Sequence, residues 1–275
     1  MKHRTRQVSI GVVGCGAIGS RIALSTLKEL KGICRVSGLF DIEVGKILRL
    51  QERLGRKTGK SSLRDLIQSC DLMVEAVNAQ NTRPIIRQAI QAKRNVLAMS
   101  VGKLLHSPDL FSLAFRNDCS LLIPSGAIAG IDAIKAASLA GIDKIILTTR
   151  KPPAGLAQAP FIKDKGINLS RITKETVVFE GPVEKAVKLF PQNINVASTL
   201  ALAGRVSKGK LLIRIITAPH FTQNSHEIEM TGAFGRMVSR TENVVCPDNP
   251  KSSYLAVLSG IQTIKEFCTK QRIGT

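Results

Sequence analysis

Tryptophan is absent from the 275-residue sequence, and aromatic residues make up only 4% of it. A base-stacking platform is hard to build from so few rings, which argues against single-stranded nucleic-acid binding. Acidic residues are also scarce. Twenty Asp and Glu face 40 Lys and Arg, a formal charge of +20 at pH 7. A positive field concentrates anionic ligands, whether a dinucleotide, a dicarboxylate or nucleic acid. The basic residues are spread along the chain, with one dense patch at Arg49, Arg53, Arg56, Lys57 and Lys60. That distribution reads first as a basic solvated surface.

Long apolar runs are missing. No stretch approaches the ~18–20 unbroken apolar residues of a membrane helix. Lys2, Arg4 and Arg6 precede an apolar segment ending in Val12-Val13-Gly14-Cys15, but Ser9 and Gly11 interrupt it. A secretory core needs about 7–15 apolar residues, so export is not expected. Cys15, Cys34, Cys70, Cys119, Cys246 and Cys268 form no C-x-x-C pair. Neither a metal site nor a disulfide scaffold is expected, and reduced thiols in a cytoplasmic protein are. A hydrophobic fraction of 44% excludes disorder, and the length suffices for two modest domains.

Among what is present, the β-branched run Val8–Val13 predicts a buried strand, followed by a turn over Gly14–Gly19 and a helix over Ser20–Leu30. Further strands are predicted at Arg35–Phe40, Asp71–Val77, Asn95–Met99 and Ser120–Ile123. They alternate with helices over Val44–Leu54, Leu63–Ser69, Pro84–Ala92 and Leu110–Asn117. This alternation implies a parallel sheet with right-handed crossovers.

After Pro124 the texture changes. A small, Gly-rich stretch, Ser125–Gly130, leads to a helix over Ala133–Ala140. Strands follow at Lys144–Thr149, Thr176–Phe179, Leu211–Ile216 and His226–Met230, with a helical stretch over Asn193–Gly204. Asn249-Pro250 reads as the opening of a last amphipathic helix, Tyr254–Cys268. The expected architecture is α/β. Residues 1–124 form a Rossmann domain with a doubly wound parallel sheet, and residues 125–249 a C-terminal α/β (α+β) catalytic, substrate and dimerisation domain. The closing helix, 250–275, is a candidate to return to the first.

Gly14-Cys15-Gly16-Ala17-Ile18-Gly19 matches G-x-G-x-x-G between a strand and a helix. Gly14 permits the tight turn, Gly16 lets the backbone approach a pyrophosphate, and Gly19 lets helix and strand pack closely. The helix N-terminus adds free N–H donors and a positive dipole end. The fingerprint also asks for a carboxylate about 20 residues further on, and Asp41 stands at the end of the next strand, with Glu43 a possible partner. An anionic side chain there suits free ribose hydroxyls and repels a 2′-phosphate. NAD is therefore the expected cofactor, with NADP the alternative.

Six segments carry a resemblance to the L-aspartate dehydrogenases: Val96–Gly102, Pro124–Gly130, Thr148–Pro153, Phe190–Ala197, Asn224–Glu227 and Asn249–Ser253. The likeness runs across nearly the whole chain. It implies oxidation of L-aspartate to iminoaspartate, which hydrolyses to oxaloacetate and ammonia or is handed on for quinolinate and NAD synthesis. It also implies a homodimer. The position matching the family's acid/base histidine is His226, and those matching its dinucleotide contacts are Ala127 and Asn193, with Asn195 a neighbour.

The residue types suit that chemistry. Imidazole can take a proton from the ammonium and later activate water. Ala127, beside Gly126, offers a close-approach backbone, and Asn193 both a donor and an acceptor. Each has a plainer alternative. Asn193 and Asn195 could cap the helix that follows, Ser252 and Ser253 the last one, and His226 could satisfy a buried hydrogen bond. Among the other histidines, His3 lies in the terminus, His106 in a polar loop, and His220 after Pro219.

Arg150 and Lys251 are candidates to bind substrate carboxylates. The chain departs from the family in carrying Ala218 where relatives carry Asp, and Lys103 where a small residue is common. Two other readings stand beside the enzyme: a reductase of another imine or semialdehyde, and a non-catalytic NAD-binding regulator or nucleic-acid partner.

Overall fold

The computed structural model describes residues 7–77, 80–190, 195–207, 209–247 and 249–274. The chain divides into two units. One runs to Pro124 and includes Val257–Arg272; the other is built from Ser125–Ala256.

In the first unit β1 (Val8–Val13), α1 (Ala17–Lys28), β2 (Cys34–Phe40), α2 (Val44–Leu54), α3 (Leu63–Gln68), β3 (Leu72–Glu75), α4 (Thr82–Gln91), β4 (Asn95–Ala98), α5 (Pro108–Arg116) and β5 (Leu121–Leu122) follow one another. The sheet order is β2-β1-β3-β4-β5, and every pairing is parallel. This is the expected Rossmann arrangement. Ile10, Val12, Leu72, Met73, Val74, Val96 and Leu97 are fully buried, because helices cover both faces and leave no polar alternation. Helix α1 begins at Ala17, three residues before the apolar periodicity starts. The second half of the glycine fingerprint is thus already helical, and Gly19, a poor helix former, conceals this in the sequence.

The second unit contains α6 (Ile131–Ala140), β6 (Ile142–Lys151), α7 (Pro160–Asp164), β7 (Thr176–Pro182), α8 (Val183–Leu189), α9 (Asn195–Gly204), β8 (Leu211–Thr217), β9 (Asn224–Gly232), β10 (Gly235–Asn243), β11 (Val245–Cys246) and β12 (Asn249–Ser253). Its main sheet has the order β10-β9-β6-β8-β7, parallel only between β6 and β8. Helices α8 and α9 cover one face, where Leu147, Ile213 and Ile215 meet Ala186, Phe190 and Ala197. The segment 154–168, without an assignable role in the sequence, supplies α7. There Phe161 packs on Phe179 and Phe190 at centroid distances of 5.7 and 5.4 Å.

Two expectations need correction. Asn249 and Pro250 do not open the last helix. They begin β12, which pairs with β11, while the helix α10 (Tyr254–Thr269) starts at Tyr254 as expected. Strand β10 was not anticipated, because its sequence, Gly-Arg-Met-Val-Ser-Arg-Thr-Glu-Asn, is polar on both faces. Its inward side chains bind backbone rather than fill a core. From α10, Val257–Arg272 belongs to the first unit. Gly260 lets the helix approach closely there, since a Cβ at that position would lie 2.8 Å from the Met99 sulfur.

Candidate active site

In the dinucleotide unit the three fingerprint glycines do different work. Gly14 holds φ at +93° and donates its N–H to the Phe40 carbonyl at 2.9 Å. A side chain there would collide with the Ala76 carbonyl at 2.4 Å, and one at Gly19 would lie 1.9 Å from the Gly14 oxygen. A Cβ at Gly16 would meet nothing within 4 Å. The space above Gly16 is therefore open, and no side chain caps α1, which starts there. Its first N–H groups, with Ala17 and Ile18 in the first turn, remain for an anion. This cradle fits a dinucleotide pyrophosphate.

Asp41 accepts hydrogen bonds from the Cys15 N–H at 2.7 Å and the Glu43 N–H at 2.9 Å. The carboxylate is thereby fixed against the glycine loop, where a ribose diol would be read. Glu43 instead pairs with Lys46 at 2.6 Å. A residue invisible to motif reading, Glu75, braces the sheet end. It is fully buried and accepts from Val77 N, Thr82 Oγ1 and Ser100 N at 3.1, 3.1 and 3.2 Å. Burial pushes its pKa up while these donors pull it back.

In the second unit His226 is the third residue of β9 and only 7% exposed. Antiparallel pairing sets it opposite Thr149 of β6, and Thr149 Oγ1 lies 3.0 Å from its Nδ1. Burial, and secondarily the charge of Lys151, pull its pKa down to about 3, so the ring is a neutral base. Lys151 lies two residues beyond Thr149 on the same strand face and lines the same cavity. Burial lowers its own pKa to about 8.

Alternation along β6 sends Arg150 to the other face, and there it pairs with Glu227 at 3.4 Å. The sequence offered Arg150 as a carboxylate ligand; the sheet pairs it on the face opposite His226 and puts Lys151 on the histidine's face. That opposite face carries further ion pairs, Arg214–Glu180 at 2.8 Å and Arg236–Glu229 at 3.5 Å.

Ala127 is buried in the small-residue turn, between Gly126 (φ +73°) and Gly130 (φ +86°). Its carbonyl accepts from Thr241 Oγ1 at 2.8 Å and Asn243 Nδ2 at 3.0 Å, and Asn243 Oδ1 accepts from Ser253 Oγ at 2.9 Å. The turn is thus fastened by β10 and β12, and Ser253 braces this network. Asn195 is the first residue of α9. Asn193, and the side chains of Lys251 and Ser252, lie outside the described residues, as does His3.

His106 is exposed, and His220 is a surface residue 3.7 Å from Glu175. Ala218 is buried without leaving His226 unpartnered, because Thr149 supplies the orienting group. Lys103 is exposed at the end of a short 3-10 turn. Thr149, Lys151, Thr241 and Asn243 were missed because their roles depend on strand register, which a single sequence does not display.

The family model for the aspartate dehydrogenase C-terminal domain matches residues 132–267, and that for the homoserine dehydrogenase NAD-binding domain matches 14–124. The L-aspartate dehydrogenase of Methanosarcina barkeri is 44% identical over 98% of this chain and 100% of its own. That of Methanocella arvoryzae is 36% identical over 97% and 99%. Among solved structures, the aspartate dehydrogenase of Thermotoga maritima superposes with a TM-score of 0.72 at 23% identity, covering 98% of this chain and 100% of that one. A homoserine dehydrogenase from Thiobacillus denitrificans reaches 0.62 at 13% identity, over 96% and 73%. The chain, with its pyridine-nucleotide-binding Rossmann unit and second α/β unit, belongs to the L-aspartate dehydrogenase family.

Proposed function

We propose that this protein oxidises L-aspartate to iminoaspartate with NAD, and that His226 is the acid/base. The observation that carries the reading is the buried, neutral imidazole held through Nδ1 by the Thr149 hydroxyl. With Nδ1 engaged, Nε2 is the ring's remaining position for proton exchange. A hydroxyl both donates and accepts. It can therefore follow the imidazole through both protonation states, which suits a group that takes a proton from the substrate ammonium and later activates water against the imine.

Lys151 is the cation best placed to meet a substrate carboxylate. An entering dicarboxylate would offset the positive charge that opposes protonation of His226, so substrate would make the imidazole more basic. When bound, NAD would supply the hydride acceptor. The residues that would hold it are Gly14, Gly16, Ala17, Ile18, Gly19 and Asp41, with Ala127, Asn193 and Asn195 carried over from the family resemblance. Asp41 favours NAD over NADP, since both its oxygens already accept hydrogen bonds and its charge opposes a 2′-phosphate.

Iminoaspartate either hydrolyses to oxaloacetate and ammonia or feeds pyridine-nucleotide synthesis. Six free cysteines accord with a reducing cytoplasm, and no described helix is long and apolar enough to cross a membrane. The ion-paired sheet face, with Val177 and Val238 about half exposed, is our choice for a homodimer contact, which sedimentation of the intact protein tests. The catalytic reading is tested by substrate-dependent NADH formation.

A further inference from the structure

Glu75 is a fully buried carboxylate that the mechanism leaves unused. It ends β3, in register with Val13 of β1 on one side and Ala98 of β4 on the other. Its Oε1 accepts from the Val77 N–H and the Thr82 hydroxyl, both at 3.1 Å, and its Oε2 from the Ser100 N–H at 3.2 Å. The Ser100 hydroxyl closes the ring by donating to the Val77 carbonyl at 2.7 Å. One side chain thus joins the chain leaving β3, the first residue of α4 and the chain leaving β4.

Those segments stand at the carboxyl ends of parallel strands. An open α/β sheet receives its ligand there, at the point where the strand order reverses. In the order β2-β1-β3-β4-β5 that point falls between β1 and β3. The glycine loop follows β1 and Asp41 follows β2, so the pyrophosphate and the adenosine ribose take that side of the reversal. The other half of the dinucleotide must then run over the ends of β3 and β4. Ala76 already abuts the glycine loop, since its carbonyl lies 2.4 Å from where a Cβ on Gly14 would stand.

We propose that Glu75 is a positioning residue for the nicotinamide half of the dinucleotide, holding Val77 and Ser100 in place beneath it; this rests on the NAD reading above. Being fully buried, Glu75 acts only through the groups it binds. A carboxylate accepts from all three donors at once, whereas glutamine has a single acceptor oxygen. A glutamine that keeps Val77 and Thr82 turns its NH2 toward the Ser100 N–H, donor against donor. The ends of β3 and β4 then lose their tie, while the Cys15 N–H, bound by Asp41 at 2.7 Å, keeps its own.

The test titrates NAD and ADP calorimetrically into the full-length wild-type protein and Glu75→Gln. ADP carries the adenosine and both phosphates but neither the second ribose nor the ring. Glu75→Gln should weaken NAD binding by about 10-fold, as expected for one buried hydrogen bond left unmade, and leave the ADP affinity unchanged. Thr82 is fully buried as well, so Thr82→Val removes a donor to Glu75 without touching a ligand. It should show the same split to a smaller degree, and Thr82→Ser should bind NAD as the wild type does. Should Glu75→Gln fail to fold, Thr82→Val decides alone. Losses that run in parallel for NAD and ADP, which a merely structural role would give, overturn the proposal, as does an unchanged NAD affinity. A wild-type protein that binds neither nucleotide removes the NAD reading, and this inference with it.

Discussion

The Thr149 hydroxyl oxygen lies 3.0 Å from Nδ1 of His226, across the paired strands β6 and β9. Both residues are buried, so the contact fixes the ring orientation in a dry setting. Thr149→Val keeps the shape and removes the hydroxyl. A lost buried hydrogen bond of about 1–3 kcal/mol corresponds to a fall in kcat of about 5- to 160-fold. The KM for NAD should hold, and Thr149→Ser should recover most of the rate. Steady-state kinetics of both variants decide this, and an unimpaired valine variant removes Thr149 from the mechanism.

Lys151 depresses the His226 pKa by like charge. Lys151→Met should raise that pKa. Because the neutral ring is the base, the acidic limb of the kcat/KM profile should then move to higher pH, while the KM for aspartate increases. The same substitution should stabilise the protein at pH 7. Between about 8 and the unfolded value near 10.4 the unfolded lysine holds more protons than the folded one. Wild-type stability therefore rises with pH across that window, and the advantage of the methionine variant shrinks. Urea unfolding at several pH values measures it; a variant less stable than wild type at pH 7 contradicts the account.

The glycines of the loop should separate folding from binding. A side chain at Gly19 has backbone 1.9 Å away, whereas one at Gly16 enters open space. Gly19→Ala should lower the unfolding midpoint sharply. Gly16→Val should leave it near wild type and weaken NAD binding by about 10-fold or more, as expected for blocking a close backbone approach. Calorimetry of unfolding and of NAD titration would show the reverse pattern if Gly16 were a structural glycine.

Asp41 should set the choice of nucleotide. Asp41→Ser removes the charge that opposes a 2′-phosphate while retaining a small polar group, and should shift the NADP/NAD ratio of kcat/KM upward by about 10-fold. A ratio unchanged in the variant would place the discrimination elsewhere.

Much of this was legible in the chain itself. The run Val8–Val13, the glycine spacing and Asp41 reported a Rossmann unit because a buried parallel strand and a phosphate turn each need residue types that little else explains. Helix Val44–Leu54, of mixed polarity in the sequence, has the expected bounds, and the structure ends it on the left-handed Gly55. The catalytic side was only half visible. His226 stood out, but its partner Thr149 and neighbour Lys151 depend on which strands pair and in what register. Arg150 was a candidate without reference to strand face, and only the register shows that Lys151 shares the face of His226. Strand β10 escaped because Thr241 and Asn243 face inward to bind the Ala127 carbonyl, so no apolar alternation marks them.

The most direct test of the central claim is the absorbance of NADH formed at alkaline pH by the purified protein with NAD and L-aspartate, D-aspartate or L-glutamate in separate reactions, repeated with His226→Ala. The account predicts NADH from L-aspartate alone, and its disappearance in a variant that still binds NAD. Equal rates with the other amino acids, or turnover near wild type without the imidazole, would contradict it.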